Sequence, residues 1–246
     1  MKRIVIIGAS SGMGRQIAAD FAAAGWKVGV AARRLEPLQQ LKSRFPDNIE
    51  TACIDVTASD AVGRFSRLVE QLDGMDLLLY ASGIGFTDPE LDDTRIADTL
   101  QVNVVGFARI ISAAYRHFRD SDNPCGGQIA AITSVAGTKG IGVSAAYSAS
   151  KRFQQMFLNA LRQLANQQKV NVAITDVRPG FVRTALLDEN REYPMIMSVE
   201  YASRLIERAI VRRKKVAYID SRWGIVSGLW AMLPECVWRH IRLEFN

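Results

Sequence analysis

The sequence predicts an α/β fold: a doubly wound parallel sheet of about seven strands with helices on both faces. Three observations predict it. Apolar, β-branched runs of strand length alternate with longer stretches of helical period along most of the chain. The runs lack in–out alternation, so both faces of the sheet are expected to be covered. The first run ends in a glycine-rich turn that leads directly into a helical stretch. A length of 246 residues suits one large domain, expected over 1–220, with an apolar C-terminal extension over 221–246.

The first strand is Lys2-Arg3-Ile4-Val5-Ile6-Ile7, and the turn is Gly8-Ala9-Ser10-Ser11-Gly12-Met13-Gly14. In residues 15–25, Ile17, Phe21 and Ala24 recur at helical spacing and Gly25 supplies a stop. Strand, glycine turn and helix in that order begin a dinucleotide-binding βαβ unit. Glycine lets the backbone approach a pyrophosphate, and the helix N-terminus offers it free N–H groups and a positive dipole end. The spacing G-x-x-x-G-x-G differs from the common G-x-G-x-x-G, and no Gly-Lys-Ser/Thr ending marks a nucleoside-triphosphate loop.

Residues 26–32 read as a second buried strand ending at Arg33-Arg34. At this position an acidic residue would hold the ribose 2′-hydroxyl of NAD, whereas two guanidinium groups suit the 2′-phosphate of NADP. The alternative is a pair of surface charges opening the helix over 35–45. A third strand, 49–54, closes in Asp55-Val56-Thr57. Asp55 and Val56 suit an adenine amino group and ring, or Asp55 caps the helix over 61–72. The fourth strand, 75–81, is followed by the small turn Ser82-Gly83. Ala81, Ser82 and Gly83 would let a nicotinamide ribose approach the backbone.

Residues 92–120 read as mostly one long helix carrying Asn103 among apolar neighbours. Residues 122–127 form a loop, and 128–133 a fifth strand closed by Ser134. Residues 135–143, with three glycines, read as a flexible connection. A second long helix, 145–167, opens with Tyr147-Ser148-Ala149-Ser150-Lys151, which puts Tyr147 and Lys151 on one face. The sixth strand, 169–177, ends at Arg178-Pro179-Gly180, and the mixed segment 181–198 suits a lid over a substrate. A helix over 199–212 turns basic at its C-terminal end, and a short seventh strand covers 215–219. The tail holds Trp223, Trp230 and Trp238 and is broken in two by Pro234.

Ser134, Tyr147 and Lys151 are the reactive candidates. A phenol donates a proton usefully only if its pKa falls from about 10 toward neutrality, and an ammonium one helical turn away favours the phenolate. Ser134 would donate to a carbonyl oxygen while hydride reaches its carbon and Tyr147 protonates the oxygen. Lys151 would also hold the nicotinamide ribose hydroxyls. Asn103 would position a water that relays protons to Lys151.

On these residues the chain resembles the short-chain dehydrogenase/reductase family, in its single-domain branch. The resemblance runs from Lys2 to about Ile219. It matches the family's glycine turn at Gly8, Gly12 and Gly14 and its catalytic tetrad at Asn103, Ser134, Tyr147 and Lys151. It also matches the proline-glycine segment at Pro179, Gly180 and Thr184, with Val182 between them and Thr184 implied to meet the nicotinamide carboxamide. The resemblance implies a seven-stranded Rossmann sheet, NADP(H), a carbonyl or alcohol substrate, and pairing of copies through the two long helices as a homodimer or homotetramer. There are two departures. Ile7 stands where the family often has Thr, and Tyr80-Ala81-Ser82-Gly83 where it has Asn-Asn-Ala-Gly. The competing function is a catalytically silent NADP-binding regulatory protein, against which the intact tetrad argues.

Bulk properties narrow the field further. The net charge of +6 permits nucleic acid, an anionic membrane or phosphate-bearing ligands, but no nucleic-acid recognition motif is present. The tail's tryptophans and its basic Arg239, His240 and Arg242 suit either a cover on a lipophilic substrate pocket, a subunit interface, or peripheral membrane contact. Cys53, Cys125 and Cys236 form no C-x-x-C pair, and Cys53 is expected in the core. With His117 and His240 isolated, no metal site is expected. Met1 leads straight into a strand, so no signal peptide is expected, and a reducing, cytoplasmic setting fits.

Overall fold

The computed structural model describes residues 2–121, 125–187 and 191–241. Met1, Asp122, Asn123, Pro124, residues 188–190 of the expected lid, and Arg242 of the tail lie outside the described residues. Among the described residues seven strands form one sheet: β1 (Arg3–Ile7), β2 (Lys27–Ala32), β3 (Ile49–Cys53), β4 (Leu77–Tyr80), β5 (Gly127–Ile132), β6 (Val172–Pro179) and β7 (Val216–Ile219). Their order is β3-β2-β1-β4-β5-β6-β7, and every pairing is parallel.

The helices explain why the strands are apolar throughout. One layer holds α1 (Gly12–Ala23), α2 (Glu36–Arg44) and α7 (Val199–Val211), and packs on Ile4 and Ile6 of β1 and on Val28 and Val30 of β2. The other holds α3 (Ala61–Gln71), α5 (Phe107–Arg119) and α6 (Ala145–Gln167), and packs on Val5 and Ile7. The four apolar β1 side chains are buried, each contributing about 2 kcal/mol relative to an exposed position. α1 opens at Gly12, three residues earlier than the periodicity indicates, because the end of the glycine turn already forms the first helical turn. β6 lies two to three residues later than expected, paired in register with β5 and β7.

Two expectations are corrected and one is refined. The long helix over 92–120 is continuous, but α4 (Asp93–Leu100) and α5 are joined by a wide π-helical turn, Gln101–Gly106, centred near Asn103. Such turns add a residue to the helix and commonly occur at functional sites. Residues 135–143 are not a free connection. They form 3₁₀ turns at Val135–Gly137 and Gly142–Ser144, and the loop between is bonded to the tail, Lys139 Nζ donating to Leu233 O at 2.9 Å and Trp238 Nε1 to Gly140 O at 2.7 Å. Cys53 is exposed rather than core, because β3 is an edge strand and its last residue leaves the covered area; its thiol donates to Arg33 O. Cys125 and Cys236 are also exposed.

The tail forms α8 (Ser221–Met232) and α9 (Glu235–Trp238), divided at Pro234 as its sequence indicates. Among the described residues no helix is long and apolar enough to cross a membrane.

Candidate active site

β1 and β4 are neighbours, yet the chain leaves their C-terminal ends toward different sides: β1 toward β2 and β4 toward β5. A parallel sheet opens a crevice at such a switch point. Here it is a cavity of about 910 Å³ lined by the glycine turn on one side and by Ser134, Tyr147 and Lys151 on the other.

The floor is built for an extended anion. Gly8 has φ +92°, and a Cβ there would lie 2.5 Å from Ser82 N, so no other residue fits between the two loops. Ser10, Ser11, Gly12, Met13 and Gly14 line the cavity where α1 begins, and α1 has no acidic residue in its first turn to oppose an incoming phosphate. Arg33 and Arg34 line the cavity just past β2, both exposed, and among the described residues neither forms a salt bridge.

Asp55 and Val56 line the same end. The Asp55 carboxylate accepts from Thr57 N at 2.9 Å and Thr57 Oγ1 at 2.7 Å, forming a local turn rather than capping α3, whose N-cap residue is Asp60. Burial works to raise the Asp55 carboxyl, but the Thr57 bonds and the Arg33 charge hold it below the ordinary value. Ala81, Ser82 and Gly83 line the middle, with Pro179, Gly180, Val182 and Thr184 opposite.

Tyr80, one of the two departures, is fully buried. Its ring meets Phe107 edge-on at 5.2 Å, and its hydroxyl donates to Val102 O, inside the π turn, at 3.4 Å. Burial drives its phenol well above the usual value, and it is a core residue that does not line the cavity. The loop after β4 keeps its path, with Ser82 still at the cavity wall.

Ser134 follows β5. Its hydroxyl accepts from Ala136 N at 3.1 Å, and its carbonyl accepts from Gln155 Nε2 at 2.7 Å, which ties it to α6. Tyr147 sits in the first turn of α6, its ring against Gly85; a Cβ on Gly85 would lie 2.5 Å from the ring. Lys151, one turn on, is buried with Nζ 5.6 Å from the centre of that ring. Nζ donates to Ile132 O at 3.3 Å and to Gln154 Oε1 at 3.1 Å.

The electrostatics differ from the sequence reading. Burial raises the Tyr147 phenol, and the influence that opposes it is the hydrogen bond with Ser134 rather than Lys151. Burial also pushes the Lys151 ammonium down to about 8, with Asp176 acting the other way. Tyr147 is therefore held as a phenol at neutral pH, next to a cation that burial makes unusually ready to interact with any negative charge forming there.

Asn103 does not line the cavity; it stands one layer behind, fully buried. Its Oδ1 accepts from Ile84 N at 3.0 Å, while Nδ2 donates to Ile84 O at 2.7 Å and to Ser150 Oγ at 3.0 Å. The side chain thus clamps the loop after β4 onto α6. All the expected site residues meet around one crevice, with Asn103 as support. Sequence reasoning missed Gly85, Gln154, Gln155 and Asp176. The first three have a sequence signal, Gly85 as the second glycine after Ser82, and the two glutamines at helical spacing from Lys151.

The tail roofs the wide end of the crevice. Phe181, Trp223, Trp230 and Trp238 form an edge-on ladder with successive ring centres 5.4, 6.4 and 5.5 Å apart. Trp223 and Trp230 line the cavity with Ile84, Phe86, Leu186 and Tyr193. The outer side of α8 leaves Ile225, Leu229 and Met232 exposed. The described part of the 181–198 segment is irregular and pinned at its base, where Met197 N donates to Phe181 O and Arg183 N to Met197 O, both at 2.9 Å.

Comparison with known proteins places this geometry. The pattern described as short chain dehydrogenase matches residues 2–194. An uncharacterized oxidoreductase of Myxococcus xanthus (strain DK1622) is 33% identical over 238 residues, covering 94% of this chain and 92% of its own. A short chain dehydrogenase from Burkholderia cenocepacia J2315, solved in complex with NADP, superposes with a TM-score of 0.83 at 19% identity, covering 99% of this chain and 100% of the other. One from Sphingobium yanoikuyae, solved in complex with NADPH, does so with a TM-score of 0.77 at 20% identity, covering 99% and 97%.

Proposed function

The chain belongs to the short-chain dehydrogenase family, and from that premise we propose that it is an NADP(H)-dependent oxidoreductase acting on a carbonyl or the corresponding alcohol. The observation that carries the reading is the convergence of Ser134, Tyr147 and Lys151 on one cavity with the glycine turn and the Arg33-Arg34 pair. The residues present fit a phosphorylated dinucleotide. Close backbone approach at Gly8, the α1 N-terminus and two guanidinium groups outside any described salt bridge match its pyrophosphate and 2′-phosphate. Asp55 and Val56 would border the adenine, Ala81 to Gly83 and Lys151 the nicotinamide ribose, and Pro179, Gly180, Val182 and Thr184 the nicotinamide. That cofactor, when bound, supplies or accepts the hydride.

The chain's own residues manage the proton. Tyr147 donates its phenolic proton to the forming alkoxide, and in the reverse direction takes it back. The Lys151 ammonium stabilises the phenolate that this leaves. Ser134 orients the carbonyl oxygen toward the same phenol, and Asn103 holds the Ile84 loop that walls the substrate. The roof of Trp223, Trp230, Phe181 and Leu186 favours a lipophilic substrate with a bulky ring system. The α4–α5 stretch and α6 expose Leu100, Val105, Met156 and Leu164, which supports pairing of two copies along the long helices. Three exposed cysteines that form no disulfide among the described residues fit a reducing compartment.

The test is NADPH oxidation against a panel running from small aliphatic ketones to bulky ring-bearing ones. Turnover is expected to favour the bulky members. Tight NADPH binding with no turnover across the panel would instead favour the silent regulatory reading.

A further inference from the structure

The sequence reading had Asn103 reach Lys151 through a water, but in the folded chain a side chain spans that distance. Gln154, three residues after Lys151 on α6, is fully buried. Its Nε2 donates to the backbone carbonyl of Asn103 at 2.9 Å, and its Oε1 accepts from Lys151 Nζ at 3.1 Å. Both ends of one carboxamide are used, and only one of its two flips allows both bonds, since an ammonium needs an acceptor and a carbonyl needs a donor. The π turn at Gln101–Gly106 brings the Asn103 carbonyl to this position.

We propose that Gln154 is a positioning residue for the reaction: anchored on the Asn103 carbonyl, it holds the Lys151 ammonium beneath Tyr147 in the place of a bridging water. The proposal rests on the functional reading above and adds to it a residue outside the tetrad. It has a chemical consequence. A carboxamide accepts at oxygen and donates at nitrogen but does not readily pass a proton from one to the other. Tyr147, once it has given its proton to the alkoxide, is therefore reprotonated from the cavity side and not along the chain Lys151–Gln154–Asn103.

The charged groups facing Lys151 are few. Tyr147 lies on its own helix, and Asp176 on β6 bears on it across the sheet end. Asp176 is itself engaged by Arg178 at 2.7 Å, by Thr133 Oγ1 at 2.6 Å, and by the charge of Arg162. None of these contacts passes through Gln154, so changing Gln154 leaves them in place.

The experiment compares the full-length protein with Gln154→Leu and Gln154→Glu. Lys151 titration is read directly from the 13Cε shift of labelled lysine, assigned with Lys151→Arg, and kcat and KM are followed against pH with the best ketone of the panel. Gln154→Leu removes an acceptor from a buried cation, and its titration is expected to move down by about one unit. kcat should fall roughly fivefold at pH 8 with KM little changed. Gln154→Glu sets a carboxylate against the ammonium, and the titration should move up. A purely structural role gives no such opposite shifts. If Gln154→Leu does not fold, the direction in Gln154→Glu still decides. An unmoved Lys151 titration in the folded variants overturns the proposal. Absent turnover in the unsubstituted protein would instead sink the functional reading, while the lysine titration tests the role of Gln154 separately.

Discussion

Replacing Tyr147 with Phe is expected to lower kcat by about 10³-fold or more while NADPH binding stays near that of the unsubstituted protein. The substitution removes one hydroxyl and nothing else. The ring stays against Gly85, and Lys151 keeps its bonds to Ile132 O and Gln154 Oε1, because neither involves the phenol. What goes is the proton donor and the partner of the Ser134 hydrogen bond. Fluorescence titration with NADPH alongside steady-state kinetics separates the two quantities. A parallel loss of binding and turnover would mean that Tyr147 is part of the cofactor seat and that the proton comes from elsewhere.

Converting both Arg33 and Arg34 to Gln is expected to weaken NADPH binding by about 100-fold and to leave NADH binding nearly unchanged. A hydrogen bond to a charged group contributes about 1.5–3 kcal/mol, and solvent at these exposed guanidinium groups argues for the low end or below. Dissociation constants for both nucleotides, measured at two salt concentrations, check the expectation. Equal losses for the two nucleotides would place the 2′-phosphate elsewhere.

Much of this was legible in the chain because the relevant physics is local. Ile4 to Ile7 are apolar on both sides of the strand, which only a doubly covered sheet explains. The glycine turn, the two arginines and the Tyr147–Lys151 spacing each follow from neighbours within a few residues. What was not legible depends on residues distant in sequence. Cys53 looks like core until β3 is known to be an edge strand. The π turn near Asn103 lies in a continuous helical period, and it appears only once Tyr80, Gln154 and Ile84 hydrogen-bond residues in that turn. The glycine-rich 135–143 connection reads as loose because its restraints, Leu233 and Trp238, lie 94 and 98 residues away from the groups they bond. The sign of the Tyr147 shift escaped for the same reason: a lysine four residues on is visible in the sequence, but the burial that outweighs it is not.

At the centre is a buried ammonium that stabilises the phenolate Tyr147 becomes. The most direct measurement is the pH dependence of single-turnover ketone reduction at saturating NADPH, in the unsubstituted protein and in Lys151→Met. Reduction needs both Tyr147 and Lys151 protonated, so the rate should be flat at lower pH and fall as pH passes about 8, where Nζ loses its proton. In Lys151→Met the rate should be low and that inflection gone. The same inflection in both proteins, or a rate that climbs through that range, would contradict the account.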